Sequence, residues 1–92
     1  MNHEIAGTLL NEEITRLRTL SYAALAHHID KPISTIVSGQ DGKKYHIESQ
    51  AFWDAKKDGN IRVMVLVDDG GLTSSFKPLS GDFIITPDGS FI

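Results

Sequence analysis

Apolar and polar residues alternate most regularly between residues 45 and 67, and this alternation predicts a β-hairpin at the centre of the fold. Along the first arm, residues 45–53, one face is mostly apolar and the other mostly polar, which is typical of a half-buried antiparallel strand. Along the second arm, residues 61–67, Met64 and Leu66 make the second face apolar as well. A β-branched strand that is apolar on both faces is typical of a sheet interior, so we predict that residues 61–67 form a central strand.

The turn and the register of this hairpin follow from the same pattern. Asp58-Gly59-Asn60 is predicted to form the turn, because Gly and Asn adopt a positive φ at little cost. Pairing Trp53 with Ile61 brings the apolar residues of both arms onto one face, whereas a shift by one residue would mix the two faces. The same register pairs Ala51 with Val63, Ser49 with Val65 and Ile47 with Val67.

The first third of the chain is predicted to be helical. Apolar residues recur there at steps of about three to five and form one stripe along a helix; they are Ile5, Leu9, Ile14 and Leu17. Ser21 is a good N-cap for a second helix from Tyr22 to about Ile29, which Pro32 would end. A single bent helix over about residues 4–29 is the alternative.

Two further strands flank the hairpin in the sequence. Residues 33–38 are rich in β-branched side chains and lead into the turn signal Gly39-Gln40-Asp41-Gly42, so they are predicted to form the first strand. After the turn signal Asp68-Asp69-Gly70-Gly71, residues 72–77 are predicted to form a fourth strand at the edge of the sheet, ended by Pro78.

The apolar tail has two interpretations. Residues 80–85 could open a helical turn capped by Ser80, or form a strand that pairs with residues 90–92 across Pro87-Asp88-Gly89; we favour the helical turn. The predicted fold class is α+β, with an N-terminal helix or helix pair packed on one face of a four-stranded antiparallel β-meander. Residues 1–92 are predicted to form a single domain.

Composition narrows the range of functions. The 92 residues carry a net charge of −3 and no basic block, which argues against a nucleic-acid partner. The sequence contains no cysteine, so thiolate chemistry is excluded. It shows neither signal-peptide features nor an apolar stretch of about 18 residues, so we expect a cytoplasmic protein with no membrane partner. No cofactor is predicted.

The sheet face away from the helices is predicted to carry the candidate binding residues. Polar side chains there are mixed with large apolar ones, and together they would form an apolar patch of about a few hundred Å², enough to mark an interface or a ligand groove. We expect one of three arrangements: the tail from Phe83 to Ile92 covers this face, a homodimer or protein partner covers it, or His46 and Glu48 perform acid–base chemistry on it. The predicted residues of this face are His46, Glu48, Gln50, Phe52, Arg62, Met64 and Leu66.

Asp68 and Asp69 complete the set of candidate binding residues. Two carboxylates at the end of a central strand could bind a cation or a substrate, but Asp and Gly also dominate ordinary turns, which is the interpretation we favour. A histidine metal site is not predicted, because His27 and His28 are adjacent and point about 100° apart on a helix. No catalytic residue is assigned, since no nucleophile, phosphate-binding or dinucleotide motif is present.

Over roughly residues 20–92 the chain resembles a family of small uncharacterised bacterial proteins. The resemblance rests on short strings, which are Phe52-Trp53-Asp54, Asn60-Ile61-Arg62-Val63-Met64-Val65, Asp68-Asp69-Gly70-Gly71, Phe76, Pro78-Leu79, Asp82-Phe83-Ile84 and Pro87-Asp88-Gly89-Ser90-Phe91. It implies no particular activity. We therefore expect a non-enzymatic protein-binding or assembly module, as a homodimer or with a protein partner. The alternative is a small-molecule-binding domain or hydrolase that uses the helix-free sheet face.

Overall fold

The N-terminal region forms two helices, as predicted, and not one bent helix. The computed structural model describes residues 1–70 and 78–92. Helix α1 spans His3–Leu17 and begins at Asn2, whose side chain accepts a hydrogen bond from the Ile5 amide at 3.1 Å. Helix α2 spans Tyr22–Ala26 and begins at the predicted cap, because the Ser21 hydroxyl accepts a hydrogen bond from the Ala24 amide. No helix among the described residues is both long and apolar enough to cross a membrane.

Helix α2 is shorter than predicted. It ends at Ala26, and the predicted last turn to Ile29 is replaced by irregular turns. Asp30 then adopts a positive φ of 62°, a conformation that does not occur within a right-handed helix, and Pro32 follows two residues later. This short connection leads directly into the first strand.

Four strands form one antiparallel sheet in sequence order. Strand β1 spans Ile33–Ser38, β2 spans Lys44–Trp53, β3 spans Ile61–Asp68 and β4 spans Leu79–Ile85. The predicted register of the central hairpin is confirmed, because Trp53 lies opposite Ile61 and the other predicted pairs follow. The predicted α+β class, with helices packed against an antiparallel meander, is confirmed as well.

The prediction of a helical turn at Ser80 is wrong. Residues 79–85 form β4, which pairs with β3 from Val67 opposite Leu79 to Ile61 opposite Ile85. Phe83 and Ile85 alternate with more exposed neighbours, which is the two-residue period of a strand covered on one face. Pro78 directly precedes β4, where its missing N–H costs no hydrogen bond within the sheet. The predicted strand over residues 72–77 lies outside the described residues.

The hydrophobic core lies between the helices and one face of the sheet. Helix α1 packs against β3 and β4, and α2 packs against β2 and β3. On β3 every second residue is buried, which is the period expected when one face is covered. On β1 the side chains that point to the same face are much less covered: Ile33 is 38% exposed and Thr35 is exposed. The helices therefore leave the first strand largely outside the core.

The turn between β1 and β2 is fixed by hydrogen bonds to Asp41 and by one glycine. Between β1 and β2, the Asp41 carboxylate accepts hydrogen bonds from the Tyr45 hydroxyl at 2.8 Å and from the Lys43 amide at 3.1 Å. A Cβ atom on Gly39 would lie 2.6 Å from the Tyr45 ring, so only glycine fits there. Between β2 and β3, the positive φ falls on Asp58, at 67°, and not on Gly59 or Asn60 as expected.

Candidate functional site

The face of the sheet opposite to the helices, here called the open face, carries the predicted binding residues of both central strands. Strand β2 contributes His46, Glu48 and Gln50, and β3 contributes the residues that pair with them. His46 lies opposite Asp68, Glu48 opposite Leu66, and Gln50 opposite Met64, while Phe52 lies opposite Arg62 at the end of the hairpin. Residues paired across antiparallel strands share a face, so the register brings this predicted set together.

Arg62 is held by two carboxylates. Its Nε donates a hydrogen bond to Asp54 Oδ1 at 2.9 Å, and its Nη1 donates to Asp82 Oδ2. The hydrogen bonds to Asp54 and then to Asp82 raise the pKa of the Arg62 guanidinium above its usual value. With a carboxylate on each side, the guanidinium joins β3 to β4 and to the end of β2, and its charge is already balanced.

Glu48 is hydrogen-bonded to Gln50 and not to His46. The Gln50 side-chain amide donates a hydrogen bond to Glu48 Oε1 at 2.9 Å. The His46 ring lies against the loop after β3, so that a Cβ atom on Gly70 would lie only 2.8 Å from His46 Nε2. Gly70 also has a φ of +73°, so glycine is required there both for space and for backbone conformation. His46 is thus packed on the backbone that ends β3.

Asp68 and Asp69 both make contacts within the protein. Asp68 Oδ1 accepts a hydrogen bond from the Gly70 amide at 2.7 Å, which is a common turn geometry for Asp. Asp69 leaves the strand and lies 3.3 Å from the amino group of Met1. Among residues 1–70 and 78–92, no group of three or more His, Asp and Glu side chains is placed to bind a metal ion.

Large apolar side chains accompany these polar groups on the open face. Ile36 of β1 lies opposite His46 and is 61% exposed, and Phe52 of β2 is 36% exposed. Met64, Leu66 and Ile84 are half-buried. The sequence interpretation missed Ile36, although its alternation with Thr35 and Val37 would have placed it here. It missed Ile84 because residues 80–85 were expected to be helical.

Phe83, Ile85 and Phe91 of the apolar tail do not cover the open face. Phe83 and Ile85 point into the core between sheet and helices. Phe91 follows a turn after β4, and its ring packs edge-to-face on Phe83 with the ring centres 5.7 Å apart. The Arg18 guanidinium lies 4.4 Å above the Phe91 ring, which places this ring on the helix side. The expectation that the tail from Phe83 to Ile92 covers Met64 and Leu66 is therefore wrong for these aromatic residues.

The outer edge of β1 presents backbone groups that no described strand pairs with. The Gly39 amide donates to the Lys43 carbonyl at 2.8 Å, and hydrogen bonding alternates along an antiparallel pair. By that alternation, Thr35 and Val37 bond to β2, and the N–H and C=O groups of Ser34, Ile36 and Ser38 point outward. The strand contains no charged residue and no proline.

A groove runs between α1 and β1 on the helix side. Two adjoining pockets, of about 430 and 230 Å³, share Leu9 and Glu12 of α1. The first reaches Ser38 at the end of β1, and the second reaches Thr35 and Val37. Helix α1 therefore leaves space beside β1 on this side too.

Comparisons with known proteins identify no family, so a functional assignment has to rest on this geometry. No protein-family model, curated protein or solved structure matches the chain. The resemblance to small uncharacterised bacterial proteins stays a prediction. On the open face, Glu48 and Arg62 have internal partners, whereas Ile36 and Phe52 are exposed.

Proposed function

We propose that this chain is a non-enzymatic assembly module of the cytoplasm that associates with a second copy of itself through its sheet. The observation that carries the proposal is the exposure of β1. Its outer backbone groups have no partner strand among the described residues, and Ile36 projects from it with 61% of its surface exposed. An uncharged edge strand with exposed apolar side chains is a template for pairing with another chain.

The polar groups of the open face favour contact over catalysis. A general acid or base must reach the proton that it transfers to or from a substrate, and a substrate-binding arginine needs an unbalanced charge. Here Glu48 accepts from Gln50, and Arg62 lies between Asp54 and Asp82. Such internal pairing keeps charges satisfied when a surface is buried against a partner, and it supports an interface more than a reaction centre.

The solution mass tests this proposal. We expect sedimentation velocity and light scattering to show a rise with concentration from the chain mass of 10.1 kDa towards twice that mass. Ile36→Lys places a charge on the exposed strand and should hold the protein at the monomer mass. Asn11→Lys adds the same charge at an exposed position of α1 and should leave association unchanged. A monomer at every concentration contradicts the proposal.

A further inference from the structure

We infer that the second copy adds its own β1 to the outer edge of β1, antiparallel, with Ile36 facing its equivalent across a two-fold axis. This inference rests on the proposed function and names the surface and the register through which it acts. It joins two four-stranded sheets into one continuous sheet, with the helices of both copies on the same face. A two-fold interface uses the same patch on both copies, so the patch must be complementary to itself.

The backbone phase limits the possible registers. The backbone N–H and C=O groups that point away from β2 belong to Ser34, Ile36 and Ser38. In an antiparallel pair, these residues form hydrogen bonds only when they lie opposite one another. With Ile36 opposite itself, Ser34 lies opposite Ser38 of the second copy, and all of these residues form hydrogen-bonded pairs. The next register in one direction that keeps this hydrogen-bonding pattern places Pro32, which has no N–H, opposite Ser38 of the second copy. A shift in the other direction places Ser34 opposite Gln40, which lies in the turn.

Charge is compatible with this register. No charged side chain lies on β1 itself, so no like charges face each other within the new pair of strands. On the open face, Ser38 lies beside Lys44 and Ser34 lies beside Glu48. The register therefore places Lys44 and Glu48 of the second copy at the two ends of a row whose middle positions are small serines. Three strand spacings separate them by about 14 Å, a span that two long side chains can largely bridge.

Shape is compatible as well. Helix α1 packs on β3 and β4, away from the axis, so the helices of the two copies do not meet over β1. On the helix side, Thr35 of one copy lies opposite Val37 of the other, and cross-strand pairs of β-branched residues pack well. One short strand from each copy makes a small interface, so the association should be weak and dependent on concentration.

Single-cysteine variants test the register, because the natural sequence has no cysteine. In the proposed register the two Cα atoms of residue 36 form a hydrogen-bonded pair about 5.5 Å apart, which suits a disulfide. Ile36→Cys should therefore form a covalent dimer in a glutathione redox buffer, where oxidised glutathione accepts the two electrons. Thr35→Cys is the matched control: its own equivalent lies diagonally, about 7 to 8 Å away, and would face it directly only after a shift of register.

A proline variant tests pairing through the outer edge of β1 and leaves the hydrogen bonds within the monomer intact. The N–H of residue 36 points outward, so Ile36→Pro removes a donor from the proposed interface and none from the pairing with β2. We expect its far-ultraviolet circular dichroism to match the natural protein and its mass to stay that of a monomer. Leu66→Asp, on the open face but two strands away from the axis, should weaken the dimer far less.

The outcomes separate the register from the wider proposal. A dimeric natural protein, rapid cross-linking of Ile36→Cys and slow cross-linking of Thr35→Cys support the inference. A dimer that withstands Ile36→Pro but dissociates in Leu66→Asp overturns pairing through β1 and leaves assembly through the open face. Faster cross-linking of Thr35→Cys than of Ile36→Cys overturns the register. A natural protein that stays monomeric at every concentration overturns both the inference and the proposed function.

Discussion

The two edge strands of this sheet are protected very differently. Strand β4 begins after Pro78, carries Asp82 on its open face, and has its last outer carbonyl occupied, because the Ile92 amide donates to the Ile84 carbonyl at 3.0 Å. Strand β1 is uncharged and has no such cover among the described residues. Proline, charge and a covering segment are the usual means by which proteins block edge pairing. A proline precedes both strands, Pro32 before β1 and Pro78 before β4, but among the described residues a charged side chain and a covering segment occur on β4 alone.

The same contrast holds for the side chains. Phe83 and Ile85 of β4 belong to the core beneath α1, whereas Ile33 and Ile36 of β1 are exposed. The sheet is therefore asymmetric: β4 stabilises the monomer, and β1 contributes a surface. Under the proposed assembly, a strand of high β propensity serves contact with another chain instead of internal packing.

The largest expected effect separates the packing roles of the two edges. Phe83→Ala removes a ring that is only 8% exposed and should lower the free energy of unfolding by about 3 to 5 kcal/mol. Ile36→Ala, on the exposed strand, should change it by no more than about 0.5 kcal/mol. Urea denaturation at a concentration where the protein is monomeric measures both values. Phe83→Leu, which keeps an apolar side chain, gives an intermediate point if the alanine variant does not fold. Similar losses at positions 36 and 83 would contradict the asymmetry.

The tail should contribute a smaller share, by closing the edge at β4. Phe91→Ala removes the edge-to-face contact with Phe83 and the cation–π contact with Arg18, and should cost about 1 to 2 kcal/mol. Ile92→Ala is the control, because this side chain is 76% exposed and its backbone hydrogen bond is retained. Thermal unfolding of both variants provides the comparison. An unchanged stability of Phe91→Ala would mean that the tail does not protect this edge.

Acid should loosen the tail through Asp88. The Thr86 hydroxyl and then the Ser90 amide donate hydrogen bonds to its carboxylate and lower its pKa. A lowered folded-state pKa contributes stability that is present above the unfolded value, near 3.9, and is lost as the pH falls through the folded value. Exchange of the Ser90 amide should therefore accelerate below about pH 4 in the natural protein. In Asp88→Asn the same exchange should be insensitive to pH once the intrinsic rate is removed.

Alkali should act at the other end of the sheet, on the turn before β2. Burial and then the hydrogen bond to Asp41 raise the pKa of the Tyr45 phenol. Burial alone would raise the pKa of Asp41, but the hydrogen bonds from Tyr45 and Lys43 lower it overall. A raised phenol pKa gives stability that is present below the unfolded value, near 10, and is lost as the pH rises through the folded value. Ultraviolet titration against Tyr45→Phe should identify a late-titrating phenol, and an early one would contradict this contact.

The sequence was most informative where local pattern and tertiary packing agree. Alternation along residues 45–53 and 61–67 predicted both central strands and their register, because a shift by one residue would expose the whole apolar set. Ser21 predicted the break between the helices, since a side-chain cap acts within a single turn. These features depend on neighbours in the sequence and need no knowledge of distant elements.

The two edges of the sheet were harder to predict from the sequence, because their pairing and exposure depend on distant parts of the chain. The position of β4 depends on pairing with β3, and the strand sequence around Gly81 is compatible with a turn until that pairing is known. The partners of Arg62 include Asp82 of β4, so the charge balance around Arg62 could not be predicted before β4 was placed. The exposure of Ile33 and Thr35, on the helix side of β1, depends on how far the helices extend across the sheet, and no local pattern reports this.

Amide hydrogen exchange along β1, measured as a function of protein concentration, tests the central claim most directly. In dilute solution the outward amides of Ser34, Ile36 and Ser38 should exchange quickly, while those of Thr35 and Val37, bonded to β2, should be protected. As the concentration rises, we expect the outward amides alone to gain protection, in step with the increase in mass. Outward amides that stay fast while the mass doubles would contradict assembly through β1.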